Sequence, residues 1–273
     1  MADTTYEKFK IVDSHAHIFP EKIAEKATQA TGDFYGIKMT YAAGFPHSLI
    51  ESGEKIGVSK YLVCSTATRP DQVQSINDFI CRKCEKYDQF FGFATLHPEM
   101  DDCAREIDRL VSLGLHGVKL HPDFQRFNID YDKAIDMYKE VAKYHIPILF
   151  HMGDDRFDFS SPRRLVNAME KVPDLVCIAA HFGGYRQWDD ALIYPVGSDR
   201  LFFDTSSALP FISKETARDL IAHFGDDMFI FGSDFPMWGH EQAFSEFISL
   251  DLTDEQRAKI LYKNFERLFK IKI

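Results

Sequence analysis

Short, nearly continuous apolar runs recur along the chain, separated by segments whose apolar residues fall at helical spacing. The runs are KIVDSHAHI (10–18), KYLVCST (60–66), FFGFATLHP (90–98), GVKLHP (117–122), PILFHMG (147–153), VCIAAHFGG (176–184), LFFDTSSA (201–208) and MFIFGSDFP (228–236). Each is rich in β-branched or aromatic residues and closes on Gly, Pro or a polar turn residue. Continuous rather than alternating apolarity predicts parallel strands whose outer faces are covered by helices.

The spacing between the runs predicts helices over 71–87, 101–114, 131–145, 161–172, 213–225 and 253–269. Asp130 reads as an N-cap, and Ser161 as another with Pro162 at the first helical position. The last helix has Ile260, Leu261, Phe265, Leu268 and Phe269 as its packing stripe. Only the connection after the sixth run is short of helix. Eight strand candidates alternating with helices predict an α/β fold, a (β/α)8 TIM barrel forming a single domain over 1–273. A doubly wound sheet is the runner-up. Against it, no GxGxxG follows the first strand and no GxxxxGK[ST] occurs. The one long loop insertion, at about 19–59, holds a helical stretch (21–32) and a part rich in Gly, Tyr and Phe (33–45). In a barrel it lies over the mouth, as a candidate lid.

Composition narrows the class. With 273 residues, 45% hydrophobic and 25 Phe, the chain has ample material for a core. Lys plus Arg is 32 and Asp plus Glu 42, a net charge of −10. That balance disfavours nucleic-acid and anionic-membrane partners, which reward clustered cations. The N-terminal MADTTYEKFK is polar and lacks a signal-peptide core, and no run approaches the ~18 apolar residues of a membrane span. Five cysteines show no disulfide framework. Cys81 and Cys84 form a CxxC in a helical segment without a second ligand pair nearby, so reduced thiols and a cytoplasmic address are expected.

The chemistry collects at strand ends. Of eleven histidines, six lie near predicted strand C-termini: His15, His17, His97, His121, His151 and His181. Asp234 ends the eighth run. In a (β/α)8 barrel these ends open on one face, where active sites lie. Asp13, His15 and His17 share one strand face, so two imidazoles converge, a pattern that points to metal ligation. Imidazole plus carboxylate suits Zn²⁺, and also Mn²⁺, Fe²⁺ or Co²⁺. His151 and Asp234 are the best additional ligands. His181 is open to ligation or acid–base work. Lys119 shares a strand face with His121 and reads more readily as a carboxylate partner than as a bridging carbamate. His97 precedes Pro98 and reads as a strand terminator. His47, His116, His145, His223 and His240 take surface or capping roles by default.

These residues stand in a recognisable order. VDSHAHIF (12–19), GVKLHPD (117–123), LFHMG (149–153), AHFGG (180–184), FGSDFPM (231–237) and ILYKNFERLF (260–269) span nearly the whole chain. The sequence resembles the amidohydrolase superfamily, specifically the amidohydrolase-related branch that includes aminocarboxymuconate-semialdehyde decarboxylase. The resemblance implies a metal-dependent barrel holding one divalent ion, Zn²⁺ first, with His15, His17, His151 and Asp234 as ligands. His181 would stand near the metal and act in catalysis. A homodimer is suggested by the resemblance alone. HPDFQRFNID (121–130) lies outside the superfamily's metal core and reads as a substrate loop.

The reaction expected first is hydrolysis of a small lactone, ester, amide or ring carboxylate. A divalent ion lowers the pKa of bound water towards ~7, Asp234 takes or steers its proton, and His181 stabilises developing charge. Asp13 is expected to hold the ligand histidines in one tautomer. The alternative is non-oxidative decarboxylation at the same site, with His121, Arg126 and Arg186 as substrate-binding residues for a small anionic molecule. Trp188 and Phe124 lie in the same loops, either to stack on a ring or to pack. A non-catalytic binding barrel would have lost a ligand type, and none is missing. A TatD-like nuclease would offer a Glu where the fourth run offers Lys119 and His121.

Overall fold

A computed structural model describes residues 8–273. Most of the polar N-terminal stretch (1–7) lies outside them. Among the described residues nine short strands follow in order: β1 (Ile11–His17), β2 (Val58–Cys64), β3 (Phe90–Gly92), β4 (Ala94–Thr95), β5 (Val118–Leu120), β6 (Ile148–Phe150), β7 (Cys177–Ala179), β8 (Leu201–Asp204) and β9 (Phe229–Ile230). Every predicted run contains strand. The third is broken at Phe93, whose ring fills the space over Gly117, where a Cβ would lie 2.4 Å from it.

The chain divides into two compact units, residues up to Val63 with Asp204–Ile273, and Cys64–Phe203. The second unit carries a parallel ladder in register, Ala94↔Val118↔Ile148↔Cys177↔Leu201, and all five residues are buried. Burial on both faces accounts for the unbroken apolarity of these runs. In the first unit β1 neighbours β2. On its other side β1 meets the segment just past β9. Ser14 N–H donates to the Phe231 carbonyl (2.8 Å), Asp234 N–H to that of His15 (2.8 Å) and His17 N–H to that of Phe235 (2.7 Å).

Five predicted helices are present, at Val73–Lys86, Cys103–Ser112, Asp132–Ala142, Pro162–Lys171 and Lys214–Phe224. The connection after the sixth run holds only Trp188–Ala191, as the pattern indicated. The terminal helix is interrupted by a π turn over Lys259–Lys263. Its stripe is buried at Ile260, Leu261 and Phe265, while Leu268 and Phe269 are half-buried. Three helices fall where the pattern indicated loop or left the segment unassigned: Pro46–Glu54, Pro122–Gln125 and His240–Ile248. The last buries His240, Ala243, Phe244 and Phe247, one face with a histidine at its first position, which disguised the stripe.

The expected caps fare differently. Ser161 and Pro162 take the expected N-cap and first helical positions, though the Ser161 side chain makes no cap hydrogen bond. Tyr131, not Asp130, sits at the N-cap of the third helix. The Asp130 carboxylate is drawn away by Arg164 (2.7 Å) and Asn167 (2.9 Å). Burial raises its pKa, but the hydrogen bonds from Asn167 and Arg164 outweigh that and hold it below the ordinary carboxylate value. A depressed folded-state pKa adds stability above the unfolded value of about 3.9, which is lost as pH falls through the folded value. Asp130→Asn is therefore expected to lower the denaturation midpoint at pH 7, with the gap from the parent closing as pH falls through the depressed folded-state value. A gap that persists in acid would show that packing, not the carboxylate, matters there.

Asn77, fully buried on the helix over Val73–Lys86, acts as a strand edge for β4. Its Oδ1 accepts from Thr95 N–H (2.7 Å), and its Nδ2 donates to the Thr95 carbonyl (3.1 Å) and to Glu106 Oε1 (2.8 Å). Asn77→Ala strands those buried groups and is expected to cost roughly 2–4 kcal/mol, read as a drop of roughly 5–15 °C in melting temperature. An unchanged melting temperature would remove Asn77 from the fold's supports.

Candidate metal centre

In the first unit three ligand atoms converge. His15 Nε2 and His17 Nε2 lie 3.2 Å apart. Asp234 Oδ1 is 3.6 Å from the first and 3.2 Å from the second. Ligand bonds of about 2.0–2.2 Å place tetrahedral donors roughly 3.3–3.6 Å apart. One divalent cation thus satisfies all three atoms together, where a hydrogen bond satisfies two. His15 is fully buried, and the side chains of Asp234 and His17 are 10% and 17% exposed.

The groups behind these atoms fit the same use. His15 Nδ1 lies 2.8 Å from Asp204 Oδ2, both side chains fully buried. The Ser206 hydroxyl donates to Asp204 Oδ1 (2.5 Å). Read from these partners, the His15 proton sits on Nδ1, facing the carboxylate, and the Nε2 lone pair faces His17 and Asp234. Sequence reasoning gave the tautomer role to Asp13. The Asp13 carboxylate instead accepts backbone His15 N–H (3.1 Å), with further donors from Ser233 and His240. Asp204 was passed over, although LFFDTS closes an apolar run on a carboxylate like the others. Asp234 adopts a left-handed φ of 59°. Its Oδ2 accepts from the Ser207 hydroxyl (2.5 Å), which in turn accepts from Trp238 Nε1 (2.9 Å). That leaves Oδ1 towards the histidines.

The second unit holds the other predicted imidazoles. His151 Nδ1 and His181 Nε2 are 2.9 Å apart, and His151 Nε2 is 3.1 Å from the Gly153 carbonyl. A carbonyl only accepts, so with both rings neutral the proton of His151 is assigned to Nε2 and His181 donates from Nε2. His121 is stacked on His151 (3.9 Å, 6°) and on Phe124 (3.7 Å, 4°). Phe124, expected either to stack on a substrate ring or to pack, is thus already engaged, and Trp188 Nε1 donates to the His181 carbonyl (3.0 Å). His121, Asp123 and His151 bring ligand atoms within 4.8 Å of one another. Burial pushes the Asp123 carboxyl up to about 7, against the pull of a hydrogen bond from Ser160. Gln125 ties this end of the unit together, donating to the Ala67 (2.9 Å) and Leu96 (2.7 Å) carbonyls. Lys119 is fully buried on β5, and His97 is buried beyond β4. Arg126 and Arg186 are exposed, the latter with its guanidinium 5.3 Å over the Tyr185 ring. His47, His116, His145 and His223 are exposed, as their default roles imply. His240 is not: it is fully buried, so its surface or capping assignment is overturned.

The amidohydrolase family pattern matches residues 12–271. The chain belongs to the amidohydrolase family. It is an enzyme, and its donor sets make a divalent-metal site. No curated protein matches this amidohydrolase in sequence. Several solved structures share its fold, a (β/α)8 barrel. One is 5-carboxyvanillate decarboxylase from Novosphingobium aromaticivorans, in complex with manganese and a nitrobenzoic acid (14% identity, 98% of each chain covered, TM-score 0.75). A second is a dihydroxybenzoic acid decarboxylase from a Polaromonas species, with bound manganese and the inhibitor 2-nitroresorcinol (17%, 96% of this chain and 97% of that one, TM-score 0.73). A third is a candidate 2-pyrone-4,6-dicarboxylic acid hydrolase from Pseudomonas putida (17%, 97% and 99%, TM-score 0.68). Among the described residues no helix is long and apolar enough to cross a membrane.

If Asp204 holds the ligand tautomer, Asp204→Asn is expected to weaken metal binding about 10–100-fold, read by competition with a chelator. Parent-like affinity in that variant would detach Asp204 from the metal centre.

Proposed function

We propose that this amidohydrolase is a metal-dependent, non-oxidative decarboxylase of a small ring carboxylate. The observation that carries decarboxylation over the hydrolysis first expected is the shared fold, over nearly the whole of both chains, with decarboxylases of substituted benzoates. His15, His17 and Asp234 hold the ion; the family resemblance implies His151 as a fourth ligand, although both its ring nitrogens are engaged here, by His181 and by the Gly153 carbonyl. Zn²⁺ and Mn²⁺ both suit imidazole and carboxylate ligands, and manganese, present in two of the similar structures, is the ion to test first. The bound ion supplies a positive charge that neutralises and orients an anionic substrate.

Decarboxylation exchanges CO₂ for H⁺ at carbon: the C–C bond breaks, its electron pair stays on the ring, and a proton takes the vacated position. Water is not added. The chain's own proton source is His181, whose Nε2–H donates to His151, with Asp234 as the second choice. Arg126 and Arg186, exposed after β5 and β7, serve as clamps for a second anionic group, beside His121. A reducing, cytoplasmic address stays the expectation drawn from the cysteine pattern of the sequence, and none of the five is disulfide-bonded among the described residues. A homodimer rests on the family resemblance alone.

The second reading, hydrolysis of a lactone, is favoured by the likeness to the candidate pyrone dicarboxylic acid hydrolase. Labelled water separates the two. Assayed in D₂O and in H₂¹⁸O with hydroxybenzoate carboxylates and pyrone lactones, the enzyme is expected to release CO₂ and leave deuterium on the ring. His181→Ala is expected to lower kcat by roughly 10²–10⁴. Ring-opened product carrying ¹⁸O without CO₂ would turn the assignment to hydrolysis, and an undiminished kcat would move the proton to Asp234.

A further inference from the structure

His240 is the one histidine whose surroundings contradict its sequence reading most sharply. It opens the helix over His240–Ile248, and its ring is fully buried. Nε2 lies 2.9 Å from Asp13 Oδ2, and Nδ1 lies 2.8 Å from Ser52 Oγ. Tyr61 meets the ring edge-on at 5.7 Å, and Phe235 stacks on it at 6.1 Å. For a neutral ring the hydrogen bonds close in one way. Ser52 Oγ accepts the His240 backbone N–H (3.2 Å) and spends its hydroxyl proton on Nδ1, so the ring proton sits on Nε2 and goes to Asp13.

The Asp13 carboxylate collects three other donors. Its Oδ1 accepts from His15 N–H (3.1 Å) and Ser233 N–H (2.9 Å), and its Oδ2 also accepts from the Ser233 hydroxyl (2.6 Å). One fully buried carboxylate therefore bolts together the backbone of ligand His15 and that of the residue before ligand Asp234. A buried carboxylate needs its donors. Without His240, the bolt loses its imidazole donor and must shift towards Ser233, carrying the two ligand backbones with it.

We infer that His240 is a positioning residue for the metal site, and that through Ser52 it ties the long insertion after β1 to the spacing of His15 and Asp234. The insertion is fastened at this place a second time, since Lys55 pairs with Glu241 (2.9 Å). The inference rests on the reading of His15, His17 and Asp234 as metal ligands. It gives the insertion a part in holding the ligands.

The test is Mn²⁺ titration of chelator-treated protein, with free ion followed by electron paramagnetic resonance and apo-protein melting measured alongside. His240→Phe keeps a buried ring but donates nothing, and is expected to bind Mn²⁺ about 10–100-fold more weakly. His240→Gln, whose amide reaches Asp13, is expected to recover most of that loss. Ser52→Ala, which frees the imidazole tautomer, is expected to fall between them, and it carries the test if His240→Phe does not fold. Asn77→Ala serves as the control for lost stability alone. Parent-like affinity in both His240→Phe and Ser52→Ala would overturn the inference. So would an equal loss of affinity in Asn77→Ala. If the parent protein takes up no divalent ion, the ligand assignment itself fails and this inference falls with it. Parent-like binding by both His240→Phe and Ser52→Ala beside a metal-loaded parent would remove His240 and leave the ligand assignment standing.

Discussion

The hydrogen bond from Asp234 N–H to the His15 carbonyl, 2.8 Å long, sets the register of two segments separated by more than two hundred residues of chain. Everything in the metal centre follows from that register. Side chains alternate faces along a strand, so a slip of one residue would turn Asp13, His15 and His17 away together. The approach is close enough to constrain residue type. A Cβ at Gly232 would lie 2.9 Å from the Cβ of His15, so that position requires glycine for the two backbones to meet. The three ladder bonds of this edge are made at Ser14, His15 and His17, which makes the spacing of the two histidines a property of backbone pairing and not of side-chain freedom.

Three buried aspartates in the first unit then divide the work by what donates to them. Asp13 is surrounded by N–H and O–H donors and holds backbone. Asp204 faces one imidazole nitrogen and fixes a tautomer. Asp234 gives one oxygen to Ser207 and the other to the two histidines. Their residue type is identical, and neighbours alone distinguish them. The net charge of −10 carries no information about this arrangement, because the relevant quantity is the number and direction of donors at each carboxylate.

Residue periodicity carried the fold well, for a physical reason. Strands buried on both faces must be apolar throughout, and runs such as PILFHMG announce that directly. The chemistry at their ends was also readable, since His15, His17, His151, His181 and Asp234 each interrupt an apolar run with a costly polar group. What escaped depended on partners distant in sequence. Asp204 has meaning only beside His15, and His240 only between Asp13 and Ser52. Asp130 follows the usual cap pattern and fails as a cap because Arg164 and Asn167 offer stronger donors. The helix over His240–Ile248 was hidden because its buried face starts with a histidine, a residue that periodicity counts as polar.

Hydrolysis and decarboxylation ask different things of the same groups. Hydrolysis asks a carboxylate to take a proton from water. Decarboxylation asks an acid to deliver one to carbon. Asp234 receives the Ser207 hydroxyl at Oδ2, and Ser207 is itself oriented by the Trp238 indole. That chain of donors points into Asp234 and suits a group that stays anionic and ligates. His181 is the opposite case: with both rings neutral, the Gly153 carbonyl assigns the proton of His151 to Nε2, and His181 presents its own Nε2–H. Asp234 and His181 are thus set apart by what surrounds them, hydroxyl and indole donors at the one and a second imidazole at the other. The proposed release of CO₂ rests on the fold shared with benzoate decarboxylases, and the donors at Asp234 agree with the ligand part it plays in that proposal.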